Sequence, residues 1–297
     1  MKIIVTGASR GIGRGIATAL AKEGFQVGAL ARSSTLLDEL RTEIEAARGI
    51  CHTAVCDLRD PSATQSAIAS LREQLGGVDG LINNAGLVIR KDAFDLSMEE
   101  WHALIDTNIH GLFYATRAVL PWMREQRRGH IINISSISGK VPLPGGSAYA
   151  ATKFAVTGFS LSLLQEVREY GIKVTVVYPG SVDSQSHRHD ADAGHSWKVT
   201  PEEVEEIARK NLDEYTPDLE VQLVESKEGG KAAILAQHDG YDVHAHLVDQ
   251  ARSQHLATDV AGSDLDHTVT REILRLRHRR LRPPRPGADR YSQGRAD

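Results

Sequence analysis

An α/β fold organised on a doubly wound parallel sheet is what this sequence predicts, on three observations. Short apolar runs near residues 2–6, 25–31, 50–56, 79–83, 129–135 and 172–178 alternate with helical patterns at 12–23, 34–47, 61–75, 97–126 and 147–170. Strands alternating with helices pair in parallel through right-handed crossovers, which places helices on both faces of the sheet. The first strand runs directly into the glycine-rich turn Thr6-Gly7-Ala8-Ser9-Arg10-Gly11-Ile12-Gly13, and Ile16, Ala17 and Leu20 follow at helical spacing. A length of 297 residues with 41% hydrophobic content can fill the core of one large domain of this kind.

The first unit is strand, glycine turn, helix. Glycines at 7, 11 and 13 permit a tight turn and close backbone approach. The amide N–H groups and the positive end of the helix dipole are then left facing a diphosphate, the Rossmann-type arrangement. In such an open sheet the ligand crevice lies at the carboxyl ends of the strands, where strand order reverses. Later strand ends carry their own signatures: Cys56-Asp57-Leu58 after the third, Asn83-Asn84-Ala85-Gly86 after the fourth, and Pro179-Gly180 after the sixth.

The chemistry is concentrated near the fifth strand. Tyr149 and Lys153 are four residues apart, which puts both side chains on one helix face. An ammonium beside a phenol lowers the cost of forming phenolate. A phenol normally titrates near ~10, so such a neighbour brings it toward working pH for general acid–base catalysis. Ser136 lies thirteen residues before Tyr149, with Ser135 and Ser138 close by.

Together these segments resemble the short-chain dehydrogenase/reductase family over roughly residues 1–205. The Gly-x-x-x-Gly-x-Gly spacing is similar to its short subgroup, and disfavours the extended subgroup of sugar epimerases. The resemblance implies an oxidoreductase that passes hydride between nicotinamide and a carbonyl or secondary alcohol: a 3-oxoacyl thioester, ketone or aldehyde. It implies Tyr149 as general acid or base and Ser136 as the hydroxyl steadying the substrate oxygen. Lys153 would bind the nicotinamide ribose and lower the phenol pKa, and Asn108 would hold a water linking Lys153 to solvent. The implied cofactor contacts are Gly7, Ser9, Arg10, Gly11, Ile12, Gly13, Arg32, Asp57, Leu58, Asn83, Ala85, Gly86, Tyr149, Lys153, Pro179, Gly180 and Val182. NAD-preferring members end the second strand in an acidic residue, whereas here Ala31 is followed by Arg32. Arg32 and Arg10 are suited to a 2′-phosphate, so the expected cofactor is NADP(H). Ser184 stands where the family often has Thr.

Other classes are excluded or left without support. No apolar stretch approaches the ~20 residues of a membrane span, and the first strand begins at residue 2, so a cytoplasmic protein without a membrane partner is expected. Cys51 and Cys56 are the only cysteines, and their odd separation points them to opposite faces of a strand as core residues. The polar segment Gln185–Trp197 is the expected substrate lid. Its histidines and aspartates have no fixed ligand spacing, and no metal is expected.

Beyond about residue 212 the resemblance ends. Leu219–Val224 alternates like a further strand, and 243–257 and 267–280 have helical patterns. The catalytic domain is expected over 1–226, with a divergent extension over 227–297. Residues 271–297 hold nine arginines against Glu272, Asp289 and Asp297, and Pro283, Pro284 and Pro286 argue for an extended, disordered end. No aromatic interleaving supports a nucleic-acid partner. Self-association is expected, as a homodimer through the helices 97–126 and 147–170 or as a homotetramer. Two readings stay beside the reductase: an NADP-binding regulatory or interaction protein with little turnover, and a basic-tailed nucleic-acid binder on the same fold.

Overall fold

The computed structural model describes residues 1–141, 144–180 and 235–237. They fall within a unit spanning Met1–Tyr241, and the second unit, Asp242–Asp297, lies outside them. The strands are β1 (Lys2–Thr6), β2 (Gln26–Ala31), β3 (Ile50–Val55), β4 (Gly80–Asn83), β5 (Gly129–Ile134), β6 (Ile172–Tyr178) and β7 (Leu235–Gln237). The helices are α1 (Gly11–Lys22), α2 (Ser34–Ala46), α3 (Pro61–Leu75), α4 (Met98–Ile105), α5 (Gly111–Glu125) and α6 (Ser147–Val167).

The seven strands lie in the order β3-β2-β1-β4-β5-β6-β7. The first six are parallel, and β7 pairs antiparallel with β6. The order reverses between β1 and β4, which opens the crevice expected of a doubly wound sheet at their carboxyl ends. The predicted strand at 219–224 lies outside the described residues, as do the predicted lid, both predicted C-terminal helices and the basic tail.

Local chemistry explains where the helices begin. The Asp60 carboxylate accepts from the Ser62 and Ala63 amides, and Pro61 opens α3 where its missing N–H costs nothing. Ser97 and Glu100 form a reciprocal capping box at the start of α4. The predicted helix 97–126 is interrupted by a π-helical turn, Asp106–His110, between α4 and α5. Such turns break the regular i to i−4 ladder and are frequent at functional sites, and this one carries Asn108.

Two hydrophobic clusters cover the two faces of the sheet. One packs Ile16 and Leu20 of α1 and Leu37, Leu40 and Ile44 of α2 against β1, β2 and Cys51. The other packs Ile68 and Leu71 of α3, Val119 of α5 and Leu163 of α6 against Ile4, Ile131 and Cys56. The two cysteines therefore serve opposite faces, as their odd spacing predicts, and both are free thiols. Burial pushes the Cys51 thiol up to about 12, which suits an inert core residue.

Candidate active site

A cavity of about 480 Å³ runs along the carboxyl edge of the sheet, and residues following all six parallel strands line it. At its dinucleotide end the β1–α1 turn is fixed by its surroundings. The Gly7 φ of 66° is left-handed, and a Cβ there would meet the Ala85 Cα at 2.8 Å. A Cβ on Gly13 would overlap the Asn84 amide nitrogen and the Gly7 carbonyl. Asn84 Nδ2 donates to the carbonyls of Thr6 at 3.0 Å and Gly7 at 3.3 Å, stitching the turn to the end of β4. Thr6 Oγ1 accepts from the amides of Asn84 and Ala85, both at 3.1 Å.

Of the predicted cofactor contacts, Gly7, Ser9, Arg10, Gly11, Ile12, Arg32, Asp57, Leu58, Ala85, Gly86, Tyr149, Lys153, Pro179 and Gly180 line the cavity. Gly13 instead packs behind the turn. Val182 lies outside the described residues. Asn83 requires a correction. Its side chain is buried and donates to Thr116 Oγ1 at 2.9 Å and Asn133 Oδ1 at 2.8 Å, inside the core. Asn84 lines the cavity in its place. The period of two explains the swap, because consecutive residues at a strand end point to opposite sides.

Charge is distributed unevenly along the cavity. Arg10 and Arg32 line its dinucleotide end and are exposed, with no carboxylate paired to either among the described residues. Asp57 is held below the usual carboxylate range, chiefly by hydrogen bonds from Arg59. The Arg59 Nη2 to Asp57 Oδ2 distance is 2.6 Å. That pairing leaves little of the Asp57 charge to oppose an anion near Arg32.

At the other end, Ser136, Tyr149 and Lys153 converge, each buried to 8% exposure or less. Ser136 ends the extended segment after β5, and Tyr149 and Lys153 share one face of α6 as their spacing predicts. The phenol is not lowered as the sequence predicts. Burial pushes it above 10, opposed by a hydrogen bond from Ser136 and by the positive charge of Arg90. Lys153 Nζ lies 5.8 Å from the phenol ring centroid and donates to the Ile134 carbonyl at 2.9 Å. Burial also brings the ammonium down to about 8, so the same dry surroundings penalise both charged forms.

Asn108 does not line the cavity wall. Its Oδ1 accepts from the Leu87 amide at 2.7 Å, and its Nδ2 donates to the Leu87 carbonyl at 2.9 Å and Thr152 Oγ1 at 3.0 Å. Both amide protons are therefore committed to protein, and the side chain ties the segment after Gly86 to α6. Sequence reasoning missed Arg90, Leu87, Val88 and Thr107, which also line the cavity. Leu87, Val88 and Arg90 lie outside any strand-end motif and enter on the segment after β4, whereas Thr107 enters on the π-helical turn. No group of three or more His, Cys, Asp or Glu side chains able to hold a metal occurs among the described residues. Among the same residues no helix is long and apolar enough to cross a membrane.

Fold and cavity thus define a Rossmann-type α/β protein in which a glycine turn and a Ser–Tyr–Lys cluster share one crevice. The short chain dehydrogenase family profile matches residues 1–193, and the chain belongs to this family. The NADP-dependent 3-hydroxy acid dehydrogenase YdfG of Salmonella typhi is 40% identical over 217 residues, spanning 69% of this chain and 86% of that protein. The closed form of serine dehydrogenase complexed with NADP+ is similar in structure at a TM-score of 0.65 and 34% identity, over 72% of this chain and 90% of that one. The alcohol dehydrogenase of the archaeon Thermococcus sibiricus, complexed with 5-hydroxy-NADP, has a TM-score of 0.69 at 25% identity, over 81% and 99%.

Proposed function

We propose that the protein is an NADP(H)-dependent oxidoreductase that interconverts a carbonyl and a secondary alcohol. The observation that carries this reading is the convergence of Ser136, Tyr149 and Lys153 on the cavity that begins at the glycine turn. The cofactor fits what lines the other end: a turn packed too closely for side chains, the start of α1, and Arg10 and Arg32, which no carboxylate among the described residues engages and which suit a 2′-phosphate. Bound there, NADP(H) supplies or accepts the hydride.

The residues of this chain do the rest. In the reducing direction Tyr149 gives its hydroxyl proton to the carbonyl oxygen, and a phenol kept neutral by burial holds that proton ready. Ser136 donates to the same oxygen as negative charge grows on it, an electrostatic role that needs no nucleophile. Lys153, with a pKa of about 8, stands next to Tyr149 on the helix and can restore its proton near neutral pH. Asn108 keeps the Leu87 segment seated so that this geometry persists.

Tyr149→Phe removes the proton donor while leaving the ring in place, so turnover of ketone, aldehyde and 3-oxoacyl substrates with NADPH is expected to vanish while NADPH binding stays close to wild type. Turnover retained by the variant would sink the assignment. A homodimer through α5 and α6 accompanies this reading, supported by Phe113 and Phe154, each 43% exposed on those helices. A monomer in sedimentation equilibrium would count against it.

A further inference from the structure

We infer that Arg90 is a specificity residue that binds a carboxylate on the substrate, so that the protein acts on a free hydroxy or oxo acid. The inference rests on the reductase reading above and narrows its substrate class.

Arg90 lies on the segment that leaves β4 after Gly86. Leu87, Val88 and Ile89 of that segment pack against Leu104, Ala148 and Tyr149, which fixes the backbone beside the catalytic phenol. The Asn108 hydrogen bonds to both the amide and the carbonyl of Leu87 pin the same stretch from behind. Arg90 itself is exposed, and its side chain lines the cavity that holds Ser136, Tyr149 and Lys153. Its charge reaches the phenol, where it favours the phenolate.

Among the described residues the guanidinium has no hydrogen-bond or ion-pair partner. Among the described residues no carboxylate pairs with Arg90, whereas its neighbour Lys91 is engaged by Glu100 at 2.6 Å. Asp57, the acidic residue among the described ones lining this cavity, is at the dinucleotide end and occupied by Arg59. Among the described residues, the reacting end therefore carries Arg90 and Lys153 with no lining carboxylate to balance them. A neutral ketone or an ester gains nothing from that imbalance. A carboxylate a few bonds from the reacting carbon matches the guanidinium fork in charge and planarity.

The test compares wild type, Arg90→Gln and Arg90→Lys on 3-hydroxybutanoate and on its methyl ester, with NADP+. Binding of 3-hydroxybutanoate to the NADP+-saturated protein is followed in parallel by calorimetry. Loss of a charged hydrogen-bonded pair is worth roughly 10- to 100-fold in affinity. Arg90→Gln is expected to lose about that factor more in kcat/KM for the acid than for the ester, and the same factor in binding of the acid, through KM, with the NADP+ affinity unchanged. Arg90→Lys should recover part of the loss. Equal losses on acid and ester, no loss on either, or a wild type that prefers the ester would overturn the role of Arg90 while leaving the reductase standing. Carboxylate binding that depends on Arg90 without turnover of either compound, or of any other secondary alcohol, would uphold the subsite and overturn the reductase reading instead.

Discussion

Replacing Lys153 with methionine should leave the protein at least as stable while abolishing its proposed chemistry. The ammonium is buried, and its pKa falls from 10.5 to about 8 because burial penalises the charged form. At roughly 1.4 kcal/mol per pH unit, that fall corresponds to ~3 kcal/mol against the charged native state at pH 7. Methionine keeps an unbranched, flexible stem of similar length and carries no charge. It also leaves the Ile134 carbonyl without the charged hydrogen bond it accepts at 2.9 Å, a loss of about 1.5–3 kcal/mol. The balance is ~0–2 kcal/mol of added stability, or a rise in Tm of up to about 8 °C for a chain of this size. Urea unfolding at pH 7 measures it directly.

The pH dependence provides a second reading of the same term. Between about 8 and 10.5 the unfolded chain still holds the Lys153 proton and the native protein does not. Stability therefore rises with pH across that window, having been reduced throughout the range below 8. Tyr149 acts in the opposite sense but only above 10, because its burial raises the phenol pKa and its contribution is lost as pH climbs through that raised value. Unfolding followed from pH 7 to about 9.5 should thus show a rising component in wild type that Lys153→Met lacks. A variant less stable than wild type at pH 7, or one with the same pH slope, would refute the reasoning.

Three further outcomes are expected. Asn108→Ala deletes three hydrogen bonds and strands the Leu87 backbone groups, so a loss of roughly 2–4 kcal/mol should appear in denaturant unfolding; unchanged stability would mean the side chain has no structural part. Gly13→Ala forces a methyl into the Asn84 amide and the Gly7 carbonyl, and about 1–3 kcal/mol of overpacking strain should appear together with weakened NADPH binding in a fluorescence titration. Undiminished affinity there would show that the turn can give way without cost. Arg32→Ala should narrow the preference for NADPH over NADH by roughly 10- to 100-fold, and an unaltered ratio of kcat/KM values would remove Arg32 from 2′-phosphate recognition.

The carboxyl edge of the sheet was largely legible in the residues themselves. Six strands appear within a residue or two of their predicted bounds, because a buried parallel strand must read as a short apolar run whatever surrounds it. The glycine turn, the Tyr149–Lys153 face and Ser136 are local patterns, and backbone sterics and helical spacing place them without long-range information.

Tertiary structure decided what depends on two distant segments meeting. Whether Asn83 or Asn84 reaches the cavity follows from which side of β4 packs on Thr116 and Asn133. The rise of the phenol pKa follows from burial, which spacing alone does not reveal, and it outweighs the charge effects that residue identity suggests. Arg90 stood in no motif, and it enters the site because Asn108, from a π-helical turn about twenty residues on, holds the Leu87 segment against α6. Sequence alone determined the elements and the placing of Tyr149 and Lys153 on one helix face, since those are properties of short stretches of chain. The electrostatics and the wall facing the substrate were decided by packing, because desolvation and charge proximity exist only once the chain is closed upon itself.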